Sequence, residues 1–278
     1  MNYTYIQDNE RFNTFLNTFA EKQFYLLAVD IEAENNRHAY GEMLCLIQIF
    51  DGTKRTIIDT LKIDSSLVKV FFENRDTLKV MYDAGSDLSL LKNAYNIEVK
   101  SILDLRPAVE LLEYEKQDLH SVIGIELGLI LEHKSRFQKQ DWTIRPISKH
   151  AIEYALDDVE HLLNLKESII IKLHEKNLLD IFWLKNLKVQ NKDYTRDPLE
   201  KYYKINGYEN LKETEKDLFR KIFDIRENYA QKYNIPPSWV ITKADLINVT
   251  INLQCIRVIR LPMKFRTSLI KDILELRP

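Results

Sequence analysis

Two carboxylates separated by one residue close the apolar run Phe24 to Glu32, Phe-Tyr-Leu-Leu-Ala-Val-Asp-Ile-Glu. Side chains on a strand alternate faces, so Asp30 and Glu32 project from one face with Cα atoms about 7 Å apart. Val29 and Ile31 turn the other way. Two anions side by side at the end of a buried strand repel, a cost that a bound divalent cation reverses. A lone Asp-x-Glu reads more simply as solvated charge at a strand end, but further acids change the balance. Asp87 follows Ala84-Gly85-Ser86 at the start of a helix, where alone it is an ordinary N-terminal helix charge. Tyr154 and Asp158, four apart, share a helical face beside an apolar stripe; singly they read as a surface phenol and a solvated acid. Four acids on three elements with one phenol can converge to hold two hard metal ions through oxygen. Ions about 3.5–4 Å apart would activate water, stabilise a pentavalent phosphate and accept charge on a leaving 3′ oxygen, which is phosphodiester hydrolysis.

The elements that position these residues follow from periodicity. Phe24 to Glu32 reads as the first strand of a sheet. Leu44 to Phe50 and Lys54 to Ile58 flank Asp51-Gly52, a hairpin dipeptide. From Leu67 the pattern alternates helix and strand: Leu67 to Phe72 helical, Leu78 to Tyr82 extended, Leu88 to Tyr95 helical, Ile102 to Leu105 extended, then helical to Leu131. This is an α/β layout with a mixed sheet. Lys134 to Trp142 is polar and basic, too poor in periodicity for a core element. A helix then starts at Ser148, a reasonable N-cap, with Ile152, Ala155, Leu156, Val159, Leu162 and Leu163 as its buried stripe. Periodicity lapses over 188–207 and resumes as a small helical bundle, giving domains at 1–190 and 208–278 with a linker at 191–207.

Composition bounds the rest. The 278 residues are 45% hydrophobic and 29% charged, an ordinary globular balance that excludes extensive disorder. No apolar run approaches the ~20 residues of a membrane span, and the N-terminus lacks a signal-peptide core. Cys45 and Cys255 suggest no disulfide framework, so a cytoplasmic location is expected. The six histidines form no HExxH-like spacing, which leaves zinc unsupported. Residues 208–278 carry +4 and the remainder −6, an asymmetry that permits a polyanionic partner.

Val29-Asp30-Ile31-Glu32, Ala84-Gly85-Ser86-Asp87-Leu88 and Tyr154-Ala155-Leu156-Asp157-Asp158-Val159 resemble the three motifs of DEDDy 3′-5′ exonucleases, and ribonuclease D in particular. The stretch from Lys134-Ser135-Arg136 to Asp141-Trp142-Thr143-Ile144-Arg145-Pro146 is similar to the segment that precedes the third motif there. The resemblance implies an RNase H-like mixed sheet flanked by helices, with Asp30, Glu32, Asp87 and Asp158 as ligands of two divalent ions, Mg²⁺ or Mn²⁺, and Asp30 bridging them. It implies that Tyr154 orients the attacking water. Asp157 projects about 100° away from Asp158 around the helix and is not expected to ligate. Met81-Tyr82-Asp83 departs from the family, which usually has a histidine near there. Residues 208–278, through their helical pattern and Ile235-Pro236-Pro237, are similar to the HRDC domain (helicase and RNase D C-terminal).

The expected activity is 3′-5′ exoribonuclease action on single-stranded RNA 3′ ends, in maturation of tRNA or other structured RNA, releasing nucleoside monophosphates. Alternatives are the same chemistry on single-stranded DNA, or a nucleic-acid-binding module without catalysis. Lys134, Arg136, Lys139 and Arg145, interleaved with Phe137 and Trp142, form a candidate grip on backbone and base; a structural loop that buries Trp142 fits the same residues equally well. Arg257, Arg260, Lys264 and Arg266 offer a second phosphate-contacting face.

Overall fold

In the computed structural model, residues 2–22, 26–131 and 137–276 are described. The chain divides into two compact units, one of residues 1–33 and 43–195, the other of 34–42 and 196–278.

The sheet comprises β1 (Thr4–Ile6), β2 (Leu26–Asn35), β3 (Glu42–Phe50), β4 (Arg55–Asp59), β5 (Leu78–Met81) and β6 (Ile102–Asp104), in spatial order β1-β4-β3-β2-β5-β6. β2 pairs parallel with β5, Ala28 opposite Val80, and β5 pairs parallel with β6, Met81 opposite Asp104. β3 and β4 form the antiparallel hairpin that Asp51-Gly52 predicts. Asp51 Oδ1 accepts from the backbone N–H of Thr53 and of Lys54, while Gly52 takes a φ of +92°. That left-handed value is one an L side chain rarely adopts.

Of the expected first strand, Phe24 and Tyr25 lie outside the described residues and β2 covers the rest, but it is not the first strand of the sheet. β1 precedes it and pairs parallel with β4; three residues are too few for alternation to announce a strand. Around the sheet lie α1 (Asn9–Lys22), α2 (Ser65–Glu73), α3 (Gly85–Tyr95), α4 (Arg106–Leu111), α5 (Leu119–Leu127), α6 (Lys149–Glu160), α7 (Leu162–Glu175) and α8 (Leu179–Asn191). Leu27, Val29 and Ile31 pack with Phe12, Phe71, Phe72, Leu88 and Leu91 on one face. Ala28, Val80 and Leu103 pack with Val122, Val159, Leu165 and Phe182 on the other. The sheet is thus covered by helices on both sides, and the face shared by Ala28, Asp30 and Glu32 is the one toward Val159 of α6.

Ser148 caps α6, its Oγ accepting from Ala151 N at 3.2 Å, an interaction that contributes about 1 kcal/mol. The expected single helix through Leu163 is two, α6 and α7, parted at His161. The basic stretch before α6 is also less peripheral than its composition suggests. Phe137 and Trp142 are buried and cluster with Cys45, Leu46, Ile57, Ala155 and Leu156.

The second unit holds α9 (Glu200–Tyr203), α10 (Glu213–Tyr233), α11 (Pro237–Val240), α12 (Lys243–Ile251) and α13 (Arg266–Leu274). Glu215 closes the first turn of α10 by accepting from Lys212 N at 2.8 Å, and Thr242 caps α12 through Asp245 N. Phe219, Ile222, Leu246, Val249, Leu269 and Ile273 are its fully buried centre. The expected linker 191–207 is not a bare connector: it contains α9 and buries Tyr202 and Ile205 in this core. Two apolar residues three apart in a charged background give too little periodicity to show that. Among the described residues no helix is long and apolar enough to cross a membrane.

Candidate active site

Asp30 and Glu32 lie in the middle of β2, just beyond the stretch Leu26–Ala28 that pairs with β5, and Asp87 follows the C-terminal end of that parallel neighbour. The crevice beyond the carboxyl ends of parallel strands is where open α/β sheets gather ligands. Asp87 is placed by its turn. Asp104, buried at the end of β6, accepts from the backbone N–H groups of Asp83 (2.9 Å), Ala84 (3.1 Å) and Arg106 (2.9 Å). Asp83 adopts a left-handed φ of +56°, and α3 begins at Gly85.

Across from β2, α6 buries Ala151, Ile152, Ala155, Leu156 and Val159. That stripe leaves Tyr154 and Asp158 half-buried on the flank, as their four-residue spacing predicts. Carboxylate oxygens of Asp30, Glu32 and Asp158 lie within 4.8 Å of one another. Asp87 stands outside that tight set, yet its charge is felt at both Asp30 and Glu32.

The electrostatics record an excess of negative charge. Burial, then repulsion from Asp158 and Asp87, pushes Asp30 well above the usual carboxylate range. Burial, then Asp30, Asp158 and Asp87, does the same to Glu32. Asp87 is pushed up to about 7, by burial first and then by Asp104 and Asp83. Asp158 is raised by burial, offset in part by a hydrogen bond from His120. Tyr154 is raised above its ordinary value by burial and by the charges of Asp158, Glu32 and Asp30, so its phenol keeps its proton at neutral pH. Its ring is fixed by Phe137 (5.4 Å between centroids), Trp142 (6.5 Å) and His120 (6.3 Å).

His120 is a site residue that the sequence pattern does not reveal. Its Nε2 lies 3.0 Å from Asp158 Oδ1, and that bond raises the imidazole pKa above its ordinary value against the effect of burial. It sits in a mainly apolar helix 38 residues before its partner, and no spacing rule links the two. The Asp118 N-cap, which fixes the start of α5 through Ser121 N, is the one local signal nearby.

The donor set suits a particular kind of guest. Clustered carboxylate oxygens with raised pKa values are hard ligands that need positive charge to ionise together. Hard divalent cations of the Mg²⁺ and Mn²⁺ type match that chemistry, and softer thiolate or imidazole-rich chemistry does not.

The expected nucleic-acid grip is corrected in two members. All five N–H donors of Arg145 are spent inside the protein: Nε and Nη2 on Asp59 at 2.7 Å each, Nη2 also on Cys45 O, and Nη1 on Trp142 O and Ile144 O. Asp59 is wholly buried and also accepts from Tyr5 Oη at 2.8 Å. Burial would raise its pKa, but the hydrogen bonds from Arg145 and Tyr5 outweigh that and hold it below the usual range. Trp142 is 3% exposed, so its indole is a wall of the Tyr154 pocket and not a platform for a base. Lys139 is exposed. Lys134 and Arg136 lie outside the described residues.

Residues 3–174 match the family described as 3′-5′ exonuclease. Among curated relatives, the chain is 24% identical over 235 residues to exosome complex component 10 of Mus musculus, covering 80% of this chain and 26% of that protein. It is 27% identical to the exosome complex exonuclease RRP6 of Saccharomyces cerevisiae, over 77% of this chain and 31% of that one. With ribonuclease D of Sphingobium indicum it shares 24% identity over 88% of this chain and 63% of the relative. The chain therefore spans about a quarter to two thirds of the length of these relatives. Among solved structures, the catalytic core of RRP6 from Trypanosoma brucei superposes with a TM-score of 0.76 at 21% identity, covering 99% of this chain and 79% of that one. RNase D of Escherichia coli does so with 0.74 at 21% identity, over 99% and 75%.

Proposed function

Since the chain belongs to the 3′-5′ exonuclease family, we propose that it is a metal-dependent 3′-5′ exoribonuclease that removes nucleoside monophosphates one at a time from RNA 3′ ends. The observation that carries this reading is the convergence of the half-buried Asp30, Glu32 and Asp158 within 4.8 Å, with Asp87 close enough to add its charge. Asp30, Glu32, Asp87 and Asp158 would hold two divalent cations, Mg²⁺ or Mn²⁺. Bound there, such cations supply Lewis-acid polarisation of a phosphate and lower the pKa of a water.

The chain's own contribution is charge, orientation and exclusion of solvent. Four carboxylates on β2, α3 and α6 fix the point of cleavage. Tyr154, its ring walled by Phe137 and Trp142, keeps its proton and orients the attacking water by hydrogen bonding; the raised phenol is too weak an acid to serve as a general base near neutrality. In hydrolysis the water oxygen bonds to phosphorus and the P–O3′ bond breaks. The water's proton passes to the leaving 3′ oxygen.

RNA as substrate is supported by the relatives. The Escherichia coli protein is described as an exoribonuclease involved in structured RNA processing, and a Trypanosoma brucei RNase D of the same fold is solved with RNA U12, at a TM-score of 0.51 over 60% of this chain. A Brucella melitensis NrnC of similar fold, at 0.55 over 68% of this chain, is solved with Mg²⁺. Trimming of tRNA or other structured-RNA precursors in the cytoplasm is the corresponding role. The second unit is proposed as an HRDC-like domain, with exposed Arg257, Arg260 and Lys264 as its phosphate-contacting face; Lys139 is proposed to contact RNA beside the site.

The test is a time course on 5′-labelled and 3′-labelled single strands of RNA and DNA with Mn²⁺. A 5′-labelled RNA ladder shortening from its 3′ side, with early release of labelled mononucleotide from the 3′-labelled strand, is the expected result. DNA degraded in preference to RNA would replace the substrate assignment. Binding without product, or full activity in EDTA, would overturn the catalytic one.

A further inference from the structure

His120 stands apart from the acidic set in sequence and in chemistry. It is the second residue of α5, and its side chain and that of Asp158 are 11% and 13% exposed. Nε2 lies 3.0 Å from Asp158 Oδ1, and the imidazole stands at 60° to the Tyr154 ring, centroids 6.3 Å apart. One side chain from α5 therefore touches both of the residues that α6 brings to the site.

Asp158 needs such a contact more than its neighbours do. Asp30 and Glu32 are set side by side by the pleat of β2. Asp158 arrives from a helix on the other side of the crevice, and the terminal torsion of an aspartate is broad and nearly free. Repulsion from Asp30 and Glu32 acts to turn it away. A donor on one oxygen removes that freedom and leaves the second oxygen for a ligand, the arrangement by which outer partners orient carboxylates at metal sites. An Nε2–H donates in the neutral tautomer and in the cation alike, so the contact does not require a charged imidazole.

We propose that His120 is a positioning residue that pins Asp158 beside Asp30 and Glu32 and thereby sets the affinity of the acidic cluster for its divalent cation. The inference rests on the metal-dependent reading above and deepens it.

Mn²⁺ titrated calorimetrically into metal-free protein tests it. His120→Ala is expected to weaken Mn²⁺ binding by about 10- to 100-fold, the usual cost of losing such a partner, and to raise the Mn²⁺ needed for half-maximal cleavage in proportion. His120→Gln, whose amide reaches about as far as Nε2, is expected to recover most of the affinity; His120→Asn, one methylene shorter, is not. In an Asp158→Asn background His120→Ala is expected to cost nothing further, because the group it acts through is gone. A merely structural histidine would lower the unfolding temperature without this ordering of affinities. Equal Mn²⁺ affinity for wild type and His120→Ala overturns the proposal, and if that variant does not fold, equal affinities of the Gln and Asn variants do so. A wild-type chain that binds no Mn²⁺ and cleaves nothing overturns the parent reading instead, and this one with it.

Discussion

Asp30 and Arg145 both look functional in the sequence, each a charged residue next to apolar ones, yet the fold treats them in opposite ways. At the β2 crevice, carboxylates face carboxylates: burial and repulsion within the cluster drive Asp30 and Glu32 up, and burial with repulsion from Asp104 and Asp83 drives Asp87 up. At the Arg145 loop every charge is met within the protein: the guanidinium closes on wholly buried Asp59 and three backbone carbonyls. The contrast teaches what separates a site from a brace. A buried charge that the chain neutralises itself holds structure together, whereas buried like charges left facing one another wait for a partner from outside.

That contrast can be broken at either end. Asp30→Asn removes one ligand that the crevice depends on, and cleavage is expected to fall by roughly four powers of ten or more, the equivalent of the several kcal/mol a Lewis acid supplies. Single-turnover assays on labelled RNA measure it, and retention of a tenth of the activity would contradict the assignment. Tyr154→Phe keeps the ring packing and removes only the hydroxyl. The expected loss is about two powers of ten in kcat with KM little changed, the cost of losing a group that orients the attacking water, and an unchanged rate would reduce Tyr154 to packing.

Arg145→Ala probes the other region. It strands Asp59 in the interior, so denaturant unfolding is expected to show about 3–5 kcal/mol of lost stability. Binding to RNA by the fraction that remains folded should be nearly unchanged; a large loss of affinity at unchanged stability would return Arg145 to the RNA grip.

The smallest effect expected is a pH dependence of the metal-free protein. Asp87 has a folded pKa of about 7 against an ordinary value of 3.8. Its contribution to stability is complete below the ordinary value and is lost as pH rises through about 7. Metal-free protein should therefore lose a few degrees of unfolding temperature between pH 5 and 8, and the stabilisation given by Mn²⁺ should grow over the same interval, because the ligands must be deprotonated. Thermal scans with and without Mn²⁺ would show it, and a metal effect that shrinks with pH would contradict the model of buried, mutually repelling ligands.

What was legible in the chain is what short-range geometry carries. Period two put Asp30 and Glu32 on one face, and a four-residue step put Tyr154 and Asp158 on one flank of α6, away from a stripe that is buried as expected. Asp51-Gly52 marked its hairpin. What pattern alone could not show depends on partners far along the chain. Arg145 reads as a free cation until Asp59, 86 residues away, is folded against it. His120 reads as one more polar residue in a mainly apolar helix until Asp158 comes to it. β1 is too short to alternate, and the role of Asp104 is visible only in the backbone N–H groups it collects from Asp83, Ala84 and Arg106.

The placement of Tyr154 and Asp158 on one face of α6 has a consequence for how this chain can drift. Any substitution at 155–157 that keeps the helix leaves the two residues aligned, so the intervening letters are free to vary within the limits of packing. Inserting or deleting a single codon there swings one of them about 100° around the axis; between Asp30 and Glu32 a one-codon change sends a carboxylate through the sheet to the opposite side. Length polymorphism in these two short windows should be far rarer among functioning descendants than changes of letter.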